Sequence, residues 1–391
     1  MEGDFIKINS TLLPLSWFYG AGVKFRNFLF DVGILKTRTY QVPVISVGNI
    51  TVGGTGKTPH VEYLIRLLRK KVNVAVLSRG YKRKSRGFLI AEQNTPMKEI
   101  GDEPYQMKQK VPDVTIAVDR KRTHGIDLLT QDKSAKGVDA ILLDDAFQHR
   151  YVKPGVNILL VDYHRLIIYD KLLPAGRLRE PLRGKDRADI VIVTKCPKDL
   201  KPMDYRVITK ALDLYPYQQL FFTTLIYDDP SPVFPKEQSP HGVKTLEDLK
   251  GKNILLLTGI ASPKQMTYDL KPYTEHITPL TYSDHHVFKS KDVARINQEF
   301  ENLRSPKVII TTEKDASRLL CTEGLSPEVR KNIYALPVRI SFMLEQEEIF
   351  NETIIGYVHK NSRNSILAKS KNDKKSKDGH HSGNRPRTIS F

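Results

Sequence analysis

Cysteine is nearly missing from this 391-residue chain, which has only Cys196 and Cys321. Two thiols cannot frame a disulfide-stapled fold, and neither stands at metal-ligand spacing from histidine or cysteine, so both read as reduced residues of a cytosolic protein. Long apolar runs are also lacking. No stretch reaches the roughly 18 uninterrupted apolar residues of a spanning helix. The first residues, with Glu2 and Asp4, show neither the apolar centre nor the small-residue cleavage site of a secretory leader. The chain is therefore expected in, or against, the cytoplasm. Acidic residues are scarce: 44 Asp and Glu stand against 62 Lys and Arg, leaving a formal charge of +18. The segment 361–391, with eight Lys/Arg and two Asp, holds +6 of that excess. Such a balance points to a polyanionic partner: nucleic acid, an anionic membrane surface or a phosphorylated substrate. The rest of the composition, 40% apolar and 27% charged, is ordinary for a globular protein with length for one large or two smaller domains.

What is present centres on residues 44–59, from Val44-Ile45-Ser46-Val47 through Gly48-Asn49-Ile50 to Thr51-Val52-Gly53-Gly54-Thr55-Gly56-Lys57-Thr58-Pro59. A β-branched apolar run feeds a glycine-rich turn, and a helix is expected from Lys57 through Leu68. That order builds a phosphate cradle. Glycines let backbone N–H groups converge, the helix N-terminus favours anions, the lysine reaches the outer phosphates and the threonine hydroxyl meets Mg²⁺. The strict pattern begins with glycine, and this chain has Thr51 there. Residues 51–58 are the expected nucleotide-binding set.

Ile141-Leu142-Leu143-Asp144-Asp145 ends an apolar strand in paired carboxylates, the place of the aspartate that supports Mg²⁺ in P-loop proteins. Gly101-Asp102-Glu103-Pro104 lies in a crossover between strands, where Asp102 is a candidate to accept a proton during phosphoryl transfer. Ser78-Arg79-Gly80-Tyr81-Lys82-Arg83 and Asp119-Arg120-Lys121-Arg122 gather cations at strand ends, as phosphate binding requires. Thr194-Lys195-Cys196-Pro197 occupies the slot of a guanine-reading Asn-Lys-x-Asp, but its asparagine and aspartate are missing, which favours ATP.

The apolar runs Val44–Val47, Val72–Leu77, Val114–Val118, Val138–Leu143, Val156–Val161 and Ala188–Thr194 alternate with helical stretches. Near-continuous Val/Ile/Leu is the mark of parallel strands buried on both faces. The expected fold is α/β, a P-loop NTPase core with a mostly parallel sheet flanked by helices, and ligands at the carboxyl ends of the strands. The expected organisation is an N-terminal amphipathic segment over 1–40, the core over 41–214, and a linker or β-ribbon over 215–252. A smaller α/β unit over 253–360 and a disordered basic tail over 361–391 complete it. Residues 11–35 interrupt Trp17, Phe18, Phe25 and Phe28 with Pro14, Lys24, Arg26 and Asp31. They suit a helix lying in a membrane interface or one packed on the protein's own core.

In the smaller unit the polar clusters are Ser283-Asp284-His285-His286 and Thr311-Thr312-Glu313-Lys314-Asp315. Adjacent histidines on an extended segment point to opposite sides, so a shared metal is disfavoured. An Asp–His pair for acid–base work or a phosphate contact stands beside a plain surface histidine.

Together the motifs resemble the tetraacyldisaccharide 4'-kinase family, the lipid A 4'-kinases of Gram-negative bacteria. They are Val-Gly-Gly-Thr-Gly-Lys-Thr-Pro at 52–59, Ser-Arg-Gly-Tyr at 78–81, Gly-Asp-Glu-Pro at 101–104 and Asp-Asp-Ala-Phe-Gln-His at 144–149. Pro-Ala-Gly-Arg-Leu-Arg-Glu-Pro at 174–181, Asp-His-His at 284–286 and Thr-Glu-Lys-Asp-Ala at 312–316 follow in order. Thr51 is in keeping with that family, Ala146 stands where glycine is expected, and the tail after Asn361 has no counterpart. The resemblance implies a peripheral kinase at the cytoplasmic face of the bacterial inner membrane. It would move the ATP γ-phosphate to the 4'-hydroxyl of an acylated glucosamine disaccharide 1-phosphate, yielding lipid IVA. It implies Lys57 on the β- and γ-phosphates, Thr58 and Asp145 on Mg²⁺ with Asp144 or Glu103 behind, Asp102 as base and His285 as its relay. Arg79, Glu103, Arg122, Gln148, Arg179 and Glu180 are the expected phosphate or substrate contacts. A regulatory P-loop NTPase that hydrolyses ATP to drive a partner is the alternative. No nucleic-acid partner is expected, because aromatics are not interleaved with the basic runs.

Overall fold

Apolar runs rich in Val, Ile and Leu become strands with both faces covered. The computed structural model describes residues 6, 8–131, 137–237, 242–260, 263–284 and 286–361, and the tail expectation lies outside them beyond residue 361. The first sheet comprises β1 (Val44–Gly48), β2 (Val74–Ser78), β3 (Leu89–Ile90), β4 (Thr115–Val118), β5 (Ala140–Asp144), β6 (Val156–Asp162), β7 (Ile190–Thr194) and β8 (Gln219–Tyr227). Each of the six expected runs lies within two residues of an observed strand. Every residue of β1, β2, β5 and β7 is buried.

The second sheet holds β9 (Ser231–Pro232), β10 (Asn253–Thr258), β11 (Ile277–Thr281), β12 (Lys307–Thr312) and β13 (Ile333–Leu336), after which β14 (Val338–Phe342) returns to the first. The first sheet is ordered β14-β8-β7-β6-β1-β5-β2-β4-β3, and the second β11-β10-β12-β13-β9. Pairing is parallel except at β3, β9 and β14. Because β1 continues to β2 on one side while β5 leads to β6 on the other, the chain changes direction around β1. That opens a crevice at the carboxyl ends of β1 and β5.

Helix α2 (Lys57–Leu68) follows the glycine turn. It sets Val61, Leu64, Ile65 and Leu68 on the sheet at helical spacing, and each such burial is worth roughly 1.5–3 kcal/mol. The last described helix, 347–361, adds Phe350, Ile354 and Val358 to the same core.

Two stretches differ from the sequence boundaries. Residues 219–227, in the segment expected as linker or β-ribbon, form a strand of the main sheet parallel to β7. Pro216, Pro230, Pro232 and Pro235 bracket that run without interrupting it, and their density masks the strand signal. Residues from 338 onward, grouped by sequence with the smaller unit, pair antiparallel with β8 in a register from Val338↔Tyr227 to Phe342↔Thr223. The two units are thus linked by paired strands, the outgoing β8 and the returning β14.

The N-terminal segment is helix α1 (Leu13–Asp31), with one face packed on the protein and another exposed. Ser16 and Gly20 are buried against the 172–175 turn: Ser16 Oγ donates to Leu172 O at 3.0 Å and accepts from Ala175 N at 3.0 Å. A Cβ at Gly20 would lie 2.8 Å from Leu172 Cδ1, so a larger residue there would require the Leu172 side chain to shift. The opposite face leaves Trp17 74% and Phe18 79% exposed, with Phe25 and Phe28 also open. Among the described residues no helix is long and apolar enough to cross a membrane.

Candidate active site

The glycine turn after β1 is bent at two places, Gly53 with φ 119° and Gly56 with φ 78°, both left-handed conformations that favour glycine. Thr51 is not one of them. It forms an antiparallel bridge to Leu178, flanked by Val52 N–H on Arg177 O at 2.8 Å and Arg179 N–H on Ile50 O at 2.7 Å. Extended backbone accepts a Cβ, which explains why the first glycine of the pattern is dispensable here.

Three successive loop carbonyls are tied back by the protein. Lys195 Nζ bonds Gly54 O, Thr194 Oγ1 donates to Thr55 O at 3.0 Å, and His60 Nδ1 lies 2.7 Å from Gly56 O. In a planar trans peptide the N–H points away from its C=O, so the N–H groups of Thr55, Gly56 and Lys57 are turned to the other side. A cleft of about 210 Å³ runs along residues 54–59 and is also lined by Lys195. Leu225, Tyr227 and Val338 of the linking strands and Met266, Asp284 and Lys314 of the second unit line its remaining walls.

At the end of β5 the two carboxylates differ. Asp144 is 1% exposed and accepts from Ser78 Oγ at 2.9 Å, while its Oδ1 is buried without a hydrogen-bond partner. Burial first, then repulsion from Glu103 and Asp145, pushes its pKa up to about 7. Asp145 sits at φ 46°, with Lys57 Nζ at 3.6 Å and Arg179 Nη1 at 3.4 Å. Burial works against its charged form, but Lys57 and then Arg179 outweigh it and hold the carboxyl below the usual range. An orphaned carboxylate oxygen beside a strongly ionised one suits a hard divalent cation. No group of three or more His, Cys, Asp or Glu is placed to cage a metal among the described residues. That donor set suits Mg²⁺, which is held by one or two carboxylates with phosphates and water completing its shell.

Asp102 begins the helix Asp102–Lys110, after Gly101 at φ 92°. A Cβ on Gly101 would meet Tyr81 O at 2.9 Å, and one on Gly80 would meet Ile100 O at 2.7 Å. Two glycines therefore bring the Arg79–Tyr81 turn against the start of this helix. Asp102 Oδ2 accepts from Arg318 Nη2 at 2.6 Å, and Lys314 Nζ lies 3.2 Å from Glu103 Oε1. Both cations belong to the helix Glu313–Leu319 of the second unit. Arg318 is itself held by Asp315 Oδ1 at 2.8 Å, and Asp315 accepts from Gly259 N–H at 2.8 Å. Lys110 makes a second crossing, 2.7 Å from both Glu62 and Glu313.

Other expected contacts fall elsewhere. Arg122 is 2% exposed and donates to the backbone carbonyls of Asp119 and Asp144, so it props strand ends and does not face a substrate. Burial lowers its pKa to about 10. Glu180 is buried on Arg187 at 2.7 Å and on Gln148 Nε2 at 3.1 Å, while Gln148 also reaches Asn49 O at 2.5 Å. Glu180 and Gln148 thus brace the frame behind β1. Arg79 is exposed at the rim. His285 lies outside the described residues; its neighbour His286 pairs with Asp292 at 3.0 Å and stacks on Tyr282. Sequence reasoning missed His60, Thr194 and Lys195 as supports of the cradle. The only signal was the position of Thr194-Lys195 at a strand end.

A family model described as tetraacyldisaccharide-1-P 4'-kinase matches residues 8–358. The tetraacyldisaccharide 4'-kinase of Phocaeicola vulgatus is 59% identical over 366 residues, which are 93% of this chain and 99% of that protein. Its counterpart in Bacteroides thetaiotaomicron is 53% identical over 377 residues, 95% of this chain and 99% of the relative. The crystal structure of LpxK from Aquifex aeolicus in complex with ATP superimposes with a TM-score of 0.68 at 30% identity, covering 90% of this chain and 99% of that one.

Proposed function

The chain belongs to the tetraacyldisaccharide-1-phosphate 4'-kinase family, and we propose that it carries out that family's phosphoryl transfer in the cleft between its two units. It is a kinase that transfers the ATP γ-phosphate to the 4'-hydroxyl of tetraacyldisaccharide 1-phosphate in lipid A biosynthesis. The observation that carries the residue-level reading is the triple tie on Gly54, Thr55 and Gly56, which turns three N–H groups toward the cleft beside Lys57.

Lys57 and those N–H groups hold the β- and γ-phosphates and spread their charge. Thr58, Asp144 and Asp145 are the residues that would hold Mg²⁺, and the cation would neutralise charge developing on the transferred group. Asp102 takes the proton of the 4'-hydroxyl. A carboxylate has about four lone-pair sites, so Asp102 can keep Arg318 and accept the hydroxyl together. Its placement against the second unit makes closure of that unit part of assembling the site. His285 as relay rests on the family resemblance alone.

The protein works at the cytoplasmic face of the inner membrane, where an acylated acceptor lies, and the exposed aromatic face of α1 supports that placement. One assay tests both readings: γ-labelled ATP, Mg²⁺ and the acylated disaccharide 1-phosphate, dispersed either in detergent or in anionic vesicles. Label is expected in the lipid. Label released only as inorganic phosphate would favour the regulatory NTPase and sink the kinase reading. Replacing Trp17, Phe18, Phe25 and Phe28 by serine should spare turnover in detergent and reduce it on vesicles. Equal loss in both would remove the membrane role of α1.

A further inference from the structure

The back of the cradle holds a buried histidine whose tie to Gly56 continues to the strand that links the two units. His60 lies one turn into α2, 3% exposed, with Nδ1 2.7 Å from Gly56 O and Nε2 3.1 Å from Thr223 Oγ1. A carbonyl oxygen can only accept, so Nδ1 carries the ring proton. A neutral imidazole has a single N–H, so Nε2 accepts and the Thr223 hydroxyl donates. Burial keeps the ring in that neutral form.

The ring is also the short bond on that carbonyl. The helical bond to the same oxygen, from His60 N–H, is 3.4 Å long. Gly56 sits at φ 78°, a conformation glycine can leave easily, and its peptide with Lys57 is the one whose N–H opens the helix toward the cleft. Clamping the carbonyl down onto His60 therefore turns the Lys57 N–H up. At the other end Thr223 is fully buried in β8, paired with Phe342 and accepting Cys196 N–H at 3.0 Å on its carbonyl. The imidazole is a strut between the Gly56–Lys57 peptide of the cradle and the strand that links the two units.

We propose that His60 is a positioning residue for ATP, fixing the Gly56–Lys57 peptide so that the Lys57 N–H faces the phosphates. The inference rests on the 51–58 loop being the ATP cradle. The variants His60→Leu, His60→Asn and Thr223→Val, with Lys57→Ala as control, are titrated with Mg²⁺–ATP by calorimetry. KM for ATP, KM for the lipid acceptor, kcat and Tm are measured in parallel. Loss of one aimed hydrogen-bond donor should raise the ATP Kd and KM of His60→Leu about tenfold, leaving the acceptor KM within about twofold of wild type. His60→Asn, whose amide nitrogen reaches the place of Nδ1, should recover most of the ATP affinity. Thr223→Val, which leaves the ring unanchored, should weaken ATP about threefold. Wild-type ATP affinity in His60→Leu, with Lys57→Ala defective, would overturn the proposal and leave the cradle intact. So would a His60→Asn protein that regains its Tm without regaining ATP affinity. If His60→Leu does not fold, unchanged ATP affinity in Thr223→Val is the overturning result. Normal ATP binding by Lys57→Ala would remove the cradle itself, and the proposal with it.

Discussion

The two walls of the cleft are held by different forces. The cradle wall is fixed by hydrogen bonds inside one unit: His60, Thr194 and Lys195 each hold a loop carbonyl, and Asn49 Nδ2 donates to Thr55 Oγ1 at 2.9 Å. The opposite wall is held by ion pairs that cross between units, Asp102–Arg318, Glu103–Lys314 and Lys110–Glu313. A loop tied to its own sheet keeps its shape whether or not the second unit moves. A carboxylate tied to a neighbouring unit depends on where that unit sits. The nucleotide side is therefore braced within one unit, and the side that carries Asp102, proposed above as the base, depends on contacts with the other unit.

The largest effect should come from Asp102. Alanine there would also remove one of the two carboxylates on buried Arg318, so asparagine is the sharper variant: it keeps an oxygen for the guanidinium and cannot take a proton. Loss of a general base should lower turnover about 10²–10⁴-fold while the ATP Kd stays near wild type. His285→Ala should behave alike if it relays that proton. Near-normal turnover in either would end the assignment for that residue.

Arg318 should come next. Arg318→Met cuts the link from Asp315 to Asp102 without touching the cradle. The expected result is a fall of about tenfold in kcat/KM for the lipid acceptor, with little change in ATP Kd, since a buried charge-assisted contact is worth more than one exposed pair. Steady-state kinetics against both substrates checks this. A variant faster than wild type would make the pair a brake on Asp102 and reverse the comparison between the walls.

Much of the preformed wall was legible in the sequence, because its parts are local. Gly53, Gly56, Lys57 and Thr58 follow one strand directly, and Asp144 and Asp145 end another. What could not be read were contacts set by tertiary approach. Thr51 replaces a glycine because Leu178, far along the chain, pairs with it. Arg122 and Glu180 resemble ligands in a string of letters, but Arg122 donates to the backbone carbonyls of Asp119 and Asp144 and Glu180 accepts from Arg187. The β8–β14 pair joins residues more than a hundred positions apart, and prolines around β8 obscured its outgoing strand.

The smallest effect on neutral-pH turnover should be the acid sensitivity of the cradle wall. Burial pushes both His60 and His149 down to about 4, aided at His149 by Arg122, Arg26 and Arg79. In the unfolded chain each titrates near 6.5, so between about pH 6.5 and 4 the unfolded state binds more protons than the folded one. Stability from these two groups is fully present above that window and is lost as pH falls through it. His60→Asn removes one of the two titrations. Its unfolding midpoint in denaturant should thus fall less steeply than wild type between pH 7 and 5, while ATP affinity at pH 7 stays close to wild type. An unchanged slope would mean that the His60 ring already takes up a proton in the folded cradle near pH 6. Thr223 would then accept from Nε2, and the fixed donor–acceptor order through that strut would be lost.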